Sequence, residues 1–477
     1  MARKATNPWV VLVLICFAQF MVILDATVVN VALPSIQKDL HMTEANLQWI
    51  VNAYTLVFGG FLLLGGRAGD LLGRKRLFLG GLVVFTAASL LDGLSSSQGM
   101  LIGARSLQGL GAAFISPAAL AIIATTFKEG SDRAKALGIW AAIAIGGSAV
   151  GLVLGGALTQ SLSWPWIFFI NVPVGIAVLL FSLRLLPESR DETLHRSFDV
   201  PGAVSVTLGL MTLVYAIVEA EQKGWGSLRT IGTFVLSAAL LLAFRAIELR
   251  AKAPLVRLSI FRVRSLATAN LVMLLVMSGM FAMFFFNSLY IQRVLGYGPL
   301  KAGLAFLPFT AGIMVSAGLA STFAPRVGVR LVGTIGMVLS AAGLVLLTQT
   351  AVHGGYLTDV LPALVIVSLG MGAVFMPLTL IATTGLEDED QGLASGLFNT
   401  SQQIGGALGL AILSTVAASR TSHLGGNGPA ALVGGFHYAF AGSVLFVLAG
   451  LGVFGAMLRQ HHVATIEADA EPELLAA

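Results

Sequence analysis

Apolar residues occupy this chain in long runs, separated by short stretches that contain charged residues, glycine or proline. A helix needs about 20 mostly apolar residues to cross a lipid bilayer, and each run is long enough to do so. The runs predict fourteen transmembrane helices, at residues 9–33, 46–66, 77–96, 99–127, 135–160, 166–186, 200–220, 229–248, 266–290, 301–323, 331–352, 360–385, 392–418 and 433–458. The pattern therefore predicts an all-α polytopic membrane protein with short loops.

Composition supports this interpretation. The 477 residues have a mean hydropathy of +0.89 and 11% are charged, whereas an ordinary soluble domain has about 25%. The single cysteine, Cys16, lies inside helix 1, which excludes a disulfide framework. The seven histidines lie in loops or at helix ends without metal-ligand spacing. We therefore expect no metal site and no cofactor.

The distribution of basic residues predicts the orientation. With a cytoplasmic N-terminus, 21 of the 28 Lys and Arg residues fall in cytoplasmic loops or helix ends, and six fall outside. Under the positive-inside rule this asymmetry places both termini in the cytoplasm and supports an even number of helices. It also explains the net charge of +5 without a nucleic-acid partner.

A weak internal repeat divides the chain. Residues 66–76 and residues 324–330 are both short, basic and glycine-containing, and both follow the second helix of a six-helix half if helices 7 and 8 are an insertion. Many secondary transporters are built from such repeats, with the substrate site near the membrane midplane between the halves. The predicted domains are a six-helix bundle at 1–186, a linker with two extra helices at 187–265, a six-helix bundle at 266–458 and an acidic cytoplasmic tail at 459–477.

Three charged residues are predicted inside the membrane. Asp25 of helix 1 and Arg105 of helix 4 lie at similar depth, where each charge costs about 2.5–3.5 kcal/mol. They form either a structural ion pair or a proton-coupling pair in which Asp25 gains and loses a proton. Desolvation favours the neutral carboxyl group, and a nearby guanidinium favours the carboxylate. Asp92, near the outer end of helix 3, is a second candidate for proton coupling or an interfacial residue before a serine turn.

Several motifs resemble the major facilitator superfamily. Residues 66–76 match the pattern G-x-x-x-D-x-x-G-R-K-R of its loop motif, and residues 101–111, with Arg105, are similar to its helix 4 motif. Residues 24–34 resemble the helix 1 signature of the fourteen-helix drug:proton antiporters. Residues 166–173 and 396–409 are also similar to that branch, so the resemblance covers essentially the whole chain.

The resemblance implies a fold of two six-helix bundles plus two inserted helices, and it implies roles for two motifs. One is a gating loop that latches the cytoplasmic side, formed by Gly66, Asp70, Gly73, Arg74 and Arg76. The other is the antiporter motif G-x8-G-x3-G-P-x2-G-G of helix 5, formed by Gly138, Gly147, Gly151, Gly155 and Gly156. Leu152 stands where that motif has proline, and Pro165 stands where the family commonly has arginine.

A substrate path is expected from the first helix of each three-helix repeat, which is the first or fourth helix of a six-helix half. An apolar, aromatic cavity with one carboxylate suits lipophilic and often cationic molecules. The candidate contacts are Asn30, Trp49, Tyr54, Gln108, Phe281, Phe285, Asn287, Tyr290, Asn399 and Gln403. The alternative for the aromatic residues is packing or contact with lipid.

We therefore interpret the chain as a proton-coupled exporter of lipophilic, in some cases cationic, drugs or antibiotics. It is expected to act as a monomer in the plasma membrane, most simply a bacterial cytoplasmic membrane. A dedicated exporter of one natural product and a proton-coupled importer remain open on the same fold. A membrane enzyme or a channel is disfavoured, because the sequence contains no intramembrane catalytic constellation.

Overall fold

The computed structural model describes residues 7–127, 130–186, 188, 199–251, 254–383, 388–426 and 428–458. Helices account for nearly all regular structure in these ranges, and no strand occurs there. The predicted acidic tail and most of the stretch at 187–199 lie outside the described residues.

Fourteen helices within the described ranges are long and apolar enough to cross a membrane, which confirms the predicted number. They are α1 Pro8–Asp39, α2 Trp49–Leu72, α3 Arg74–Gly93, α4 Gln98–Thr126, α5 Ser131–Ser161, α6 Trp166–Leu185, α7 Val200–Lys223, α8 Leu228–Arg250, α9 Arg264–Leu289, α10 Leu307–Val327, α11 Val329–Leu347, α12 Leu361–Thr383, α13 Asp388–His423 and α14 Pro429–Met457. A short helix, Pro299–Ala305, leads into α10.

The connection between α2 and α3 is shorter than the sequence suggests. Helix 2 was expected to end near residue 66, but α2 continues to Leu72, and Gly73 alone separates it from α3. Leu71 and Leu72 extend the apolar pattern by another half turn, and helices tolerate the intervening glycines at modest cost. Gly66 and Asp70 therefore belong to a helix rather than to a loop.

Large apolar side chains are exposed on the outward faces of many helices. Phe181 of α6, Leu242 of α8 and Leu445 of α14 expose 57%, 64% and 69% of their surface, respectively. A water-soluble protein rarely carries so much exposed apolar surface, whereas lipid hydrocarbon solvates it without penalty.

The chain forms two compact units. Unit 1 comprises Met1–Thr43, Trp49–Gly209 and Leu240–Leu255, and unit 2 comprises Glu44–Gln48, Leu210–Ala239 and Val256–Ala477. Helices α7 and α8, which were predicted as a separate insertion, contribute residues to both units.

One packing pattern recurs in the two units. In unit 1, α1 packs extensively on α5, and α4 packs on both α2 and α3. In unit 2, α9 packs in the same way on α13, and α12 packs on both α10 and α11. Helices at equivalent positions of the two six-helix sets therefore have equivalent neighbours.

Candidate functional site

Asp25 and Arg105 form a buried ion pair inside unit 1. Nη1 of Arg105 donates a hydrogen bond to Oδ2 of Asp25 at 2.6 Å, and the two side chains are 1% and 0% exposed, respectively. The structure thus brings into contact the two charges that the sequence placed at similar depth. Removing either partner would leave a buried charge without compensation, which is strongly unfavourable.

Two amide side chains complete the surroundings of the Asp25 carboxyl group. Its Oδ1 accepts hydrogen bonds from Nε2 of Gln108 at 2.7 Å and from Nδ2 of Asn171 at 2.9 Å. Both amides are buried. Among the described residues, Asp25 therefore faces three donors, which matches the acceptor-only ionised carboxylate.

Arg105 has anchors besides Asp25. Its Nε donates to the carbonyl oxygen of Ile50 at 3.0 Å, and its Nη1 also donates to Oε1 of Gln108 at 2.5 Å. The guanidinium carbon lies 4.4 Å from the centre of the Tyr54 ring, within the range of a cation–π interaction. These contacts hold the guanidinium in place even when its interaction with Asp25 changes.

Glycines on α4 allow the neighbouring helices to approach this network. A Cβ atom at Gly109 would overlap the carbonyl oxygen of Tyr54 on α2, and one at Gly111 would lie 2.6 Å from the backbone nitrogen of Phe85 on α3. Arg105 stands one turn before Gly109 on α4. The close contact explains how Arg105 reaches a backbone carbonyl of α2.

Asp92 lies in the last turn of α3 and is fully buried. Neither of its carboxyl oxygens has a hydrogen-bond partner among the described residues. Arg105 and Asp25 are close enough to act on it electrostatically. Ser89, one turn earlier on α3, accepts a hydrogen bond from Nε2 of Gln108 at 2.7 Å, which links α3 to the Asp25 network.

Four predicted substrate contacts lie in unit 1. Gln108 and Tyr54 belong to the surroundings of the ion pair, and the Tyr54 hydroxyl is buried without a hydrogen-bond partner in the described part of the chain. Trp49 is buried at the first residue of α2. Asn30 is half-buried, and its Nδ2 donates to two carbonyl groups of its own helix at 3.4 Å.

Three predicted contacts, two on α9 and one at the residue that follows it, are buried within unit 2. Phe285 packs against Phe286, with ring centres 5.2 Å apart. The Tyr290 hydroxyl donates to the carbonyl oxygen of Ala351 at 2.7 Å. Nδ2 of Asn287 donates to a carbonyl one turn earlier at 3.1 Å, whereas its buried Oδ1 has no partner among the described residues. Asn287 therefore has an unused acceptor.

The remaining predicted contacts in unit 2 involve α13. The ring of Phe281 lies against Gly406 of α13. Asn399 is exposed, and its Nδ2 donates to the carbonyl oxygen of Ser395 at 3.0 Å. Gln403 is half-buried. Phe281 thus packs between helices, whereas Asn399 and Gln403 retain accessible polar surface.

The predicted gating motif is a tight turn held by an acidic residue. Gly73 adopts a φ of 110°, and a Cβ atom there would lie only 2.5 Å from Oε1 of Glu188, so the turn requires glycine. Glu188 also accepts the backbone N–H of Lys75 at 3.2 Å and pairs with Nε of Arg76 at 3.5 Å. Arg74 is half-buried, and the Asp70 side chain lies outside the described residues.

Lys75, within the same motif, holds the end of the sixth helix. Its Nζ donates to the carbonyl oxygen of Leu183 at 2.9 Å and to that of Leu186 at 2.8 Å. The last carbonyl groups of a helix have no partner within the helix, and a cation there also interacts favourably with the helix dipole. The α2–α3 turn is therefore tied to the end of α6.

The second loop of the predicted repeat has the same arrangement. Gly328, with a φ of 89°, separates α10 from α11. Two residues later, Nη2 of Arg330 donates to the carbonyl oxygen of Gly455 in the last turn of α14, at 3.3 Å. In both units, a basic residue two positions after a glycine with positive φ donates to backbone carbonyl groups at the end of the sixth helix of its six-helix set, which is α6 or α14.

Three glycines of the helix 5 motif form the contact between α5 and α1. Gly147 faces Phe20 and Ile23, and Cβ atoms at Gly151 and Gly155 would overlap Thr27 and Val28, respectively. A glycine strip of this kind lets two helices approach closely.

The other positions of the motif differ in their surroundings. Gly138 is exposed, and a Cβ atom there would meet nothing within 4 Å. Gly156 is buried, and Leu152, at the motif's proline position, is also buried. α5 continues without interruption through Leu152.

Sequence reasoning missed four side chains that contribute to these arrangements. They are Ser89 and Asn171 beside Asp25, and Lys75 and Glu188 at the turn. Asn171 lies inside the family-like stretch at 166–173, which was the available signal for it. Among the described residues, no group of three or more His, Cys, Asp or Glu side chains could hold a metal ion.

Comparisons with known proteins agree on one family. The family profile described as Major Facilitator Superfamily matches residues 15–410. The chain is 42% identical to the puromycin resistance protein pur8 of Streptomyces alboniger, over 92% of this chain and 88% of that protein. It is 40% identical to the cephamycin export protein CmcT of Amycolatopsis lactamdurans, over 94% and 92%.

The fold also resembles solved transporters. The crystal structure of a peptide transporter POT in complex with sulfate superimposes with a TM-score of 0.68 at 14% identity, covering 94% of each chain. At this identity the likeness concerns the fold alone.

Proposed function

Because this chain belongs to the Major Facilitator Superfamily, we propose that it exports small lipophilic antibiotics or drugs in exchange for protons. It is a multi-pass transporter of the cytoplasmic membrane, in agreement with its fourteen apolar helices and its bacterial relatives. Each chain contains the complete Asp25 network, so a monomer suffices, and the proposed activity is transport rather than catalysis.

The observation that supports proton coupling is the buried network of Asp25, Arg105, Gln108 and Asn171. An ionised Asp25 accepts from all three neighbours. A proton on Asp25 removes its charge and turns one of its oxygens into a donor, so the hydrogen bonds from the three neighbours lose their charge assistance and become weaker. Proton binding therefore favours a different arrangement of α1, α4 and α6.

The proposed cycle uses this difference. With the N-terminus in the cytoplasm, a proton from outside neutralises Asp25 and favours release of substrate outward, and the proton then leaves to the inside. One charge moved across 100 mV supplies about 2.3 kcal/mol, which corresponds to roughly 40-fold accumulation. Arg105 stays in place through Ile50 and Tyr54 and favours the return of Asp25 to the carboxylate.

The names of the relatives and the aromatic candidate contacts support the class of substrate. Phe281 and Gln403 are partly exposed in unit 2 and offer an aromatic surface and a neutral polar group, which suit lipophilic molecules with few polar atoms. Asn287 has an acceptor that a substrate donor can use.

A dedicated exporter of one natural product is the second candidate. The observation that favours it is that the two relatives named above each carry the name of a single antibiotic. A panel of antibiotics tested on expressing cells separates the two candidates. Resistance to many unrelated compounds supports a multidrug exporter, resistance to one chemical class supports a dedicated exporter, and increased accumulation indicates import.

The direct test of proton coupling is Asp25→Asn in proteoliposomes, with puromycin as the first probe. We expect the variant to lose uphill transport driven by a pH gradient but to keep downhill exchange, because asparagine cannot exchange a proton. The matched control is Asp132→Asn, whose exposed carboxylate interacts only weakly with Lys135 at 4.0 Å. Undiminished uphill transport by Asp25→Asn would show that another group couples transport to protons.

A further inference from the structure

We propose that Asp92 is a second proton-binding carboxyl group, which carries a proton while Asp25 is ionised. The proposal rests on the proton-coupled function proposed above and assigns a second acid to it. Asp25 and Asp92 share one electrostatic environment but differ in their hydrogen bonds.

The two carboxyl groups have opposite surroundings. Asp25 accepts hydrogen bonds from three side chains, whereas neither oxygen of Asp92 contacts a donor in the described part of the chain. Both side chains have no exposed surface. A buried carboxylate without donors is far less stable than a neutral carboxyl group in the same place. The geometry therefore fits an ionised Asp25 and a protonated Asp92.

Among the described residues, Arg105 is the positively charged side chain that acts electrostatically on both acids. Arg105 acts electrostatically on Asp92, but its Nη1 is already bound to Asp25 and Gln108. Among the other elements packed against α3, the turn Trp166–Phe169 has no titratable side chain. Arg184, the charged residue of α6, lies in the last turn of that helix, where Leu183 binds Lys75 at the start of α3. Asp92 lies at the opposite end of α3. On α2, Tyr54 faces Arg105 and Asp25.

Asp92 is placed between the end of α3 and the Asp25 network. On one side, α3 ends at Gly93, and the ring of Phe169 fills the space that a side chain at position 93 would need. On the other side, Ser89 stands one turn earlier and is hydrogen-bonded to Gln108, which binds Asp25. The Ser89 hydroxyl accepts from Gln108 and keeps a proton of its own to donate.

The proposed step moves one proton and creates no charge. An O–H bond of the Asp92 carboxyl group breaks, and an O–H bond forms on a carboxylate oxygen of Asp25. Asp92 becomes the carboxylate, and the field of Arg105 then stabilises it instead of Asp25. A proton from the solvent at the α3 end refills Asp92 once Asp25 has released its proton at the other side.

Infrared spectroscopy of the purified full-length protein at neutral pH tests this assignment without any substrate. We expect a deuterium-sensitive C=O stretching band of a buried protonated carboxyl group in the wild type. The band should persist in Asp25→Asn and in the control Asp132→Asn, should disappear in Asp92→Asn, and should shift in frequency in Asp92→Glu. Absence of the band from the wild type, its persistence in Asp92→Asn, or an unchanged frequency in Asp92→Glu overturns the proposal, and Asp92→Glu, which keeps a carboxyl group, decides if Asp92→Asn does not fold.

Transport measurements separate this proposal from the proposed function. If Asp92→Asn keeps the uphill transport that Asp25→Asn loses, then Asp92 has no part in coupling while the role of Asp25 stands. If Asp25→Asn keeps uphill transport, the assignment of Asp25 fails whatever the result at Asp92. Loss of uphill transport in both variants, with downhill exchange retained, supports a two-carboxyl pathway.

Discussion

Asn171 offers a graded test of the Asp25 network, because it contacts Asp25 without carrying a charge or a proton of its own. Its Nδ2 donates to Oδ1 of Asp25 at 2.9 Å inside a fully buried site. A hydrogen bond to a charged group contributes about 1.5–3 kcal/mol. A neutral carboxyl group accepts the same hydrogen bond with only about 0.5–1.5 kcal/mol, so Asn171→Ala favours proton binding at Asp25 by the difference of about 1–1.5 kcal/mol, which is roughly 5- to 10-fold.

The sign of the effect on transport follows from this difference. Because the variant binds the proton more tightly, release of the proton requires a higher pH, so the pH dependence of transport should move to higher pH by about one unit. The assay is exchange of a probe antibiotic in proteoliposomes, with the same pH on both sides, measured over a range of pH. Ser182→Ala is the matched control, because Ser182 is buried on the same helix and its hydroxyl has no hydrogen-bond partner among the described residues.

Two outcomes are informative. A shifted profile with an unchanged maximal rate supports Asp25 as the titrating group. An unshifted profile, in a variant that is folded and active, would show that the hydrogen bond of Asn171 does not set the proton affinity of Asp25.

Two further predictions concern the architecture around the network. Lys75→Ala should lower the free energy of unfolding of the purified protein by about 1–3 kcal/mol, because it leaves the carbonyl groups of Leu183 and Leu186 without their charged donor. Thermal unfolding measures this change. The control Lys135→Ala, at an exposed position, should have almost no effect. Gly155→Ala should destabilise the protein by about 1–3 kcal/mol because its Cβ overlaps Val28, whereas Gly138→Ala, in open space on the same helix, should be neutral or stabilising. Equal effects of the two glycine substitutions would contradict the assigned α5–α1 contact.

The helices and the central ion pair could be predicted because both leave a strong mark on the sequence. A membrane-spanning helix must be apolar over its whole length, so fourteen runs predict fourteen helices. A charge within such a run is costly, so Asp25 and Arg105 stand out from their neighbours and their contact could be expected.

The neutral residues of the site could not be predicted in the same way. Neutral polar residues such as Asn171 and Ser89 add little free-energy cost to a membrane helix. In the sequence they look the same as Asn52 or Thr55, which do not take part in the hydrogen bonds around Asp25. Their partners lie on other helices, and the distance between helices depends on packing at glycines. Only the folded chain shows which amide reaches the carboxyl group.

The α2–α3 turn shows a second limit of sequence reasoning. The basic residues of the motif were assigned to a loop, although only Gly73 departs from helical geometry. Lys75 was not singled out among its basic neighbours, because its function depends on the last carbonyl groups of α6, more than a hundred positions away in the sequence. The equivalent contact of Arg330 with Gly455 shows that the predicted repeat extends to individual hydrogen bonds.

If export is exchanged for protons, a gradient of substrate must drive protons across the membrane. Proteoliposomes that contain the wild-type protein and a pH-sensitive dye are given a gradient of a transported antibiotic, with no initial pH difference. We expect protons to move against the direction of antibiotic flow and Asp25→Asn to abolish this movement. Antibiotic flow without proton movement, or with protons moving in the same direction, would contradict it.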